Sequence, residues 1–173
     1  EEGIPAPKMM YIIPSYHNPT GRSMPSNERK RLASFALKHG VMLVADEVYH
    51  LLDWKQQQTG DEDTRSHNRP AGIVHFNKYT FETKNDDCQS DAKDKERFGC
   101  CISVSSVTKI WGPGVRLGWI DAPPVIIQRL SHYGYIDSQG GVAPFMGKMI
   151  YHAIESNLLD TYLDKLKLEY AER

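Results

Sequence analysis

A chain of 173 residues with 40% hydrophobic side chains can bury one sizeable core, which argues against wholesale disorder and makes one domain the default. Its 21 basic and 22 acidic side chains almost cancel, at a formal net charge of -1, so there is no global field for steering toward nucleic acid or an anionic membrane. Cys88, Cys100 and Cys101 lack CxxC spacing, there is no unbroken apolar run long enough to span a bilayer, and the start carries no signal-peptide pattern. A disulfide scaffold, a membrane span and secretion are thereby disfavoured and a reducing, cytoplasmic setting is expected, with an upstream leader left open because the chain begins at Glu1.

Met9 to Ile13 is a short apolar run closed by Pro14 and then by Asn18, Pro19 and Gly21, which predicts a buried strand feeding a turn. From Ser26, read as an N-cap with Glu28 in the first turn, Leu32, Phe35 and Ala36 recur at helical spacing as far as His39. Gly40 supplies the stop, and Lys38 and His39 suit the helix C-terminus. Val41 to Ala45 is too short for an ordinary helix and rich in valine, so it predicts a strand buried on both faces. Strand, helix and strand in this order predict a parallel βαβ unit, with Asp46, Glu47 and Tyr49 at the carboxyl end where open α/β sheets place their ligands.

Residues 55–98 change character, being polar and charged apart from Ile73 to Phe81, and predict a surface excursion. Cys100 to Val104 resumes the buried-strand pattern, and Leu117 to Ile120 is a further candidate strand. Patches from Val125 to Tyr133 and from Phe145 to Tyr170 predict helices, and no internal repeat is visible. The expected fold class is α/β, a mostly parallel sheet flanked by helices.

Three segments each follow a predicted strand: NPTG at 18–21, DEVY at 46–49, and SVTK at 106–109 running on into GPGVR at 112–116. Singly each is a turn, a charged strand end or a strand exit. Together and in this order, the arrangement over most of residues 9–151 resembles the large domain of the class I/II aminotransferase family, fold-type I pyridoxal-phosphate enzymes. The resemblance implies pyridoxal 5'-phosphate as cofactor, an amino acid and a 2-oxo acid as substrates, and a homodimer. It implies that Lys109 forms an internal aldimine and, once displaced by the substrate, moves a proton. By the same resemblance Asp46 faces the pyridine nitrogen, while Asn18 and Tyr49 hold the phenolic oxygen of the ring. Arg116 and Ser106, helped by Thr108, match the phosphate contacts, where a planar guanidinium and short hydroxyls suit a dianion. Gly112, Pro113 and Gly114 would turn the chain so that Arg116 comes back to the phosphate that Ser106 holds.

Other residues stay open. His17 either approaches substrate or sits in solvent, and Trp111 either lines the pocket or packs under the turn. Ser138 to Gly141 matches a substrate-side loop of some family members, and His50, His132 and His152 have no metal-ligand spacing. The family's upstream phosphate loop, its ring-stacking aromatic and the carboxylate-binding arginine of its C-terminal small domain find no place here. The expectation is therefore a large-domain piece, 1–173, of a protein more than twice as long, with residues 152–173 starting the connection to the small domain and with no activity in isolation. Lyases, decarboxylases and synthases of the same fold share these cofactor contacts. A cofactor-binding sensor domain of a transcriptional regulator is the rival from another class.

Overall fold

The computed structural model describes residues 7–52, 101–137 and 142–173. The predicted excursion at 55–98, Cys88 and Cys100, and the SQGG segment at 138–141 lie outside the described residues. The described chain runs through strand β1 (Met9–Ile12), helix α1 (Ser26–His39), strand β2 (Met42–Asp46), a 3-10 turn (His50–Leu52) and strand β3 (Cys101–Ser106). Two more 3-10 turns (Val107–Lys109 and Pro113–Val115), strand β4 (Gly118–Asp121), and helices α2 (Pro124–Ser131), α3 (Gly134–Asp137), α4 (Pro144–Glu155) and α5 (Leu158–Ala171) follow. The strands are ordered β1-β2-β3-β4. The β1/β2 pair is parallel in the register Met9↔Met42 to Ile12↔Ala45, and β2/β3 is parallel from Leu43↔Cys101 to Asp46↔Val104.

The described residues divide into two compact units, one holding residues 7–47, 101–104 and 120–129, the other 48–52, 105–119 and the chain from 130 onward. In the first, β1, α1 and β2 form the predicted crossover. Leu43, Ala45 and Cys101 are fully buried, and Ala33 and Ala36 of α1 are closed to solvent as well. Leu43, Ala45 and Cys101 cluster with Ala36 and Val41, covered by Met10, Ile12, Met24, Leu32 and Leu37. Small residues on the helix let it lie close to the sheet, and burial of this apolar surface is worth roughly 25 cal/mol per Å². Gly40 ends α1 at φ 63°, a left-handed conformation that a side chain would disfavour.

Two details of α1 differ from expectation. Ser26 is the first helical residue, the N-cap position falls on Pro25, and no side chain caps the end. Phe35 is 48% exposed and stacks on His39 with ring centroids 4.5 Å apart, while the inward stripe carries Arg29, Ala33 and Ala36. A phenylalanine is too large for the close helix-to-sheet approach that the alanines permit. Arg29 takes the buried place because its guanidinium is hydrogen-bonded there: Nε donates to Met24 O at 2.8 Å, and Nη2 donates to Pro14 O at 2.9 Å and to Ser15 Oγ at 3.0 Å. This clamp holds both ends of the loop that carries NPTG. The loop is further closed by Met24 N–H to Pro14 O at 2.8 Å and His17 N–H to Arg22 O at 2.8 Å.

In the second unit, Val107, Ile110 and Val115 from the two turns pack with Leu52, with Ile150 and Ala153 of α4, and with Leu159 and Leu163 of α5. The apolar stretch predicted as helical between Phe145 and Tyr170 is interrupted at Asn157, which sits at φ 55° between α4 and α5. Asparagine tolerates that conformation better than most residues. Trp111 packs against this core, its ring 5.4 Å from that of Tyr162. Among the described residues, no helix is long and apolar enough to cross a membrane.

Candidate active site

The carboxyl ends of β1 and β2 present the polar groups of the first unit. Asn18 is exposed on the loop after β1, with a cis peptide bond to Pro19, and beside it His17 Nδ1 lies 2.9 Å from Thr20 Oγ1. His17 is half-buried and engaged within its own loop. Asp46 is the last residue of β2, and its Oδ2 accepts a hydrogen bond of 2.6 Å from the Tyr11 hydroxyl of β1.

The next residue turns the opposite way, as strand alternation requires. Glu47 is fully buried, accepts from the Ser103 hydroxyl of β3, and lies 4.0 Å from Arg29 Nη1. Burial pushes its carboxyl from 4.5 up to about 7; Ser103 and Arg29 oppose that rise, and Asp121 and Asp46 add to it. A carboxyl raised in the folded state retains a proton that the unfolded chain releases. Its contribution to stability is therefore complete below about pH 4.5 and is lost as pH rises through about 7, a difference on the order of 3 kcal/mol. Glu47→Gln, which cannot titrate, is expected to remove this component. The gap in melting midpoint between about pH 5 and about pH 8 should shrink in the variant, and an unchanged gap would show that Glu47 does not hold its proton.

In the second unit the chain leaves β3 into the turn that carries Lys109. Val107 and Ile110 are each 2% exposed, and these flanking anchors leave Lys109 exposed between them. Ser106 Oγ accepts from Thr108 N–H at 3.1 Å and lies 2.8 Å from Thr108 Oγ1 and 3.0 Å from Leu117 O. The loop closes where Val107 N–H donates to Leu117 O at 3.0 Å, so the segments that begin at Lys109 and end at Arg116 form one loop with adjacent ends. The left-handed residue in this loop is Arg116 itself, at φ 52°, anchored by buried Val115, with Nη1 3.4 Å from Pro113 O. Pro113 and Gly114 turn the chain, in the 3-10 turn Pro113–Val115, while Gly112 before them is extended at φ 172°. An arginine held at positive φ is uncommon, and such conformations concentrate at functional sites. The Lys109 ammonium stands 5.7 Å from the centroid of the Tyr49 ring, within cation–π range.

Sequence patterns did not flag Gly118. A Cβ there would meet Ser105 O at 2.7 Å, so only glycine lets the chain pass this close to β3. Tyr11, Arg29 and Ser103 carry no local sequence signal, since their partners Asp46 and Glu47 lie far away along the chain. His50 is buried, with Nδ1 3.5 Å from Ser105 Oγ and its ring edge toward Trp119. Among the described residues, no cluster of His, Cys, Asp and Glu could hold a metal ion.

The second unit offers an exposed amine, two hydroxyls and a guanidinium on or beside one closed loop, groups that suit an aldehyde and a phosphate; the first offers a carboxylate at the end of β2 and an amide on the loop after β1.

The family model for aminotransferase class I and II matches residues 2–143. The chain belongs to the class I/II aminotransferases. An aromatic amino acid aminotransferase of Schizosaccharomyces pombe is 27% identical over 169 residues, which is 96% of this chain and 34% of the relative. The HTH-type transcriptional regulator NorG of Staphylococcus aureus is 24% identical over 161 residues, covering 92% of this chain and 29% of the regulator. The structure is similar to LysN, the α-aminoadipate aminotransferase of Thermus thermophilus solved with N-(5'-phosphopyridoxyl)-L-leucine, at a TM-score of 0.65 and 22% identity, covering 94% of this chain and 34% of LysN. This aminotransferase chain thus has the fold of the fold-type I enzymes and spans about a third of the length of the relatives it matches.

Proposed function

We propose that the protein is a pyridoxal-phosphate-dependent aminotransferase that moves an amino group between an amino acid and a 2-oxo acid, working as a homodimer. The observation that carries this reading is the exposed Lys109 on a loop that also brings back Arg116, with Tyr49 beside the lysine. Pyridoxal phosphate bound there supplies an electron sink for the pair left when a bond to the substrate α-carbon breaks. The ε-amine of Lys109 anchors the cofactor covalently and, once released, moves the proton at that carbon.

Arg116, Ser106 and Thr108 hold the phosphate. The two hydroxyls are now engaged with each other and with the backbone of their own turn, so binding exchanges those bonds for phosphate oxygens. Asp46 holds the proton on the ring nitrogen, and Asn18 and Tyr49 orient the ring oxygen.

The test uses the complete protein that contains this chain, loaded with cofactor, with a panel of amino donors and 2-oxo acids that includes aromatic amino acids and 2-aminoadipate, after the names of the similar proteins. Multiple turnover is expected, together with borohydride-fixed cofactor on Lys109. An adduct on a different lysine with Lys109 unmodified would remove the central assignment. The similarity to NorG gives a second reading, a cofactor-binding module in a regulator. Covalent cofactor on Lys109 without turnover of any donor would favour it.

A further inference from the structure

Tyr11 is a poor candidate for a core residue and a good one for a polar device. It stands opposite Val44 in the β1/β2 register, so Asp46 lies two positions further along β2 on the same face of the sheet. Its strand neighbours Met10 and Ile12 pack on the core, whereas Tyr11 is 59% exposed and contributes little apolar burial. Its hydroxyl reaches Asp46 Oδ2 at 2.6 Å, the range of a hydrogen bond to an ionised carboxylate. A phenol on a rigid ring spans this diagonal; a serine or threonine hydroxyl would be too short. The ladder on either side fixes both backbones, so the donor is already in place.

We propose that Tyr11 is a positioning residue for Asp46: its hydroxyl holds the carboxylate in one orientation and shares its negative charge. The inference rests on the reading of Asp46 as the ring-nitrogen partner. A carboxylate aimed by a fixed donor meets the ring N–H along one line, and a quarter turn about the Cβ–Cγ bond would lose that alignment.

The experiment compares Tyr11→Phe, Asp46→Ala and the double variant in the holoenzyme. Tyr11→Phe removes one oxygen from an exposed side chain, and the melting midpoint and cofactor affinity are expected to stay unchanged. The value of kcat is expected to fall about tenfold with little change in KM, the scale of one lost hydrogen bond to a charged group. At one fixed, mildly alkaline pH, the visible absorption of the bound cofactor should shift, because the carboxylate assigned to its ring nitrogen has lost its fixed partner. In the Asp46→Ala background, Tyr11→Phe should add nothing to either readout.

If Asp46→Ala alters band and rate while Tyr11→Phe alters neither, the inference is wrong and the role of Asp46 stands. If Asp46→Ala alters neither, the ring-partner reading fails and takes the inference with it. A Tyr11→Phe effect that persists without Asp46 would place the action of Tyr11 elsewhere and overturn the proposal.

Discussion

Lys109→Ala is expected to lower transamination by at least roughly two to four decades, the range spanned by loss of a positioned acid–base group, with loss of the covalent anchor added to it. None of the neighbouring residues can replace it, since Val107 and Ile110 are buried as anchors and Thr108 has no amine. Alanine suits the turn, because the anchors and the closing bond from Val107 to Leu117 do not involve the lysine side chain. The variant should therefore fold and retain cofactor through the phosphate contacts, yet lose the adduct that borohydride fixes in the parent. Single-turnover kinetics and peptide mapping of the reduced protein check both parts. A rate within about tenfold of the parent would show that Lys109 is not the proton carrier.

Asp46→Ala is expected to cost roughly two to three decades in turnover, the scale of removing one group that stabilises developing charge. Cofactor retention should change far less, because the phosphate is assigned to Arg116, Ser106 and Thr108. The expected signature is a fall in the single-turnover rate at saturating cofactor with only a modest change in cofactor affinity. Unchanged single-turnover transamination would contradict the role of Asp46. Loss of cofactor in proportion to loss of rate would mean that the residue serves binding instead of chemistry.

Both variants act on residues that were legible from local pattern. Apolar runs at Met9 to Ile13 and Val41 to Ala45, separated by a helix that ends at Gly40, predict a parallel βαβ unit, and β1, α1 and β2 occupy those places within a residue or so. Of the three motifs, DEVY and SVTK begin on the last residues of β2 and β3, and NPTG lies on the loop that follows β1. Such signals survive in one dimension because period, length and helix stops depend on neighbours a few residues away. The exposed Phe35 shows their limit: helical spacing marks a face, and the space between helix and sheet decided that alanines and a bonded arginine would fill it.

What the amino-acid sequence by itself determined was the order of elements, the family and the candidate residues for the chemistry. The tertiary structure alone decided how those residues are supported. Asp46 and Glu47 are adjacent and chemically alike, yet the first meets the Tyr11 phenol on one face while the second is buried against Ser103 and Arg29. Strand alternation predicts that two neighbours point apart, but which face is covered depends on α1 and on the register of β1, β2 and β3. The same holds for Gly118, whose need for a bare Cα comes from the Ser105 carbonyl 2.7 Å from where a Cβ would stand. These are distances between segments far apart along the chain, set by the summed packing and hydrogen bonding of the whole sheet, and no local stretch of residues encodes them.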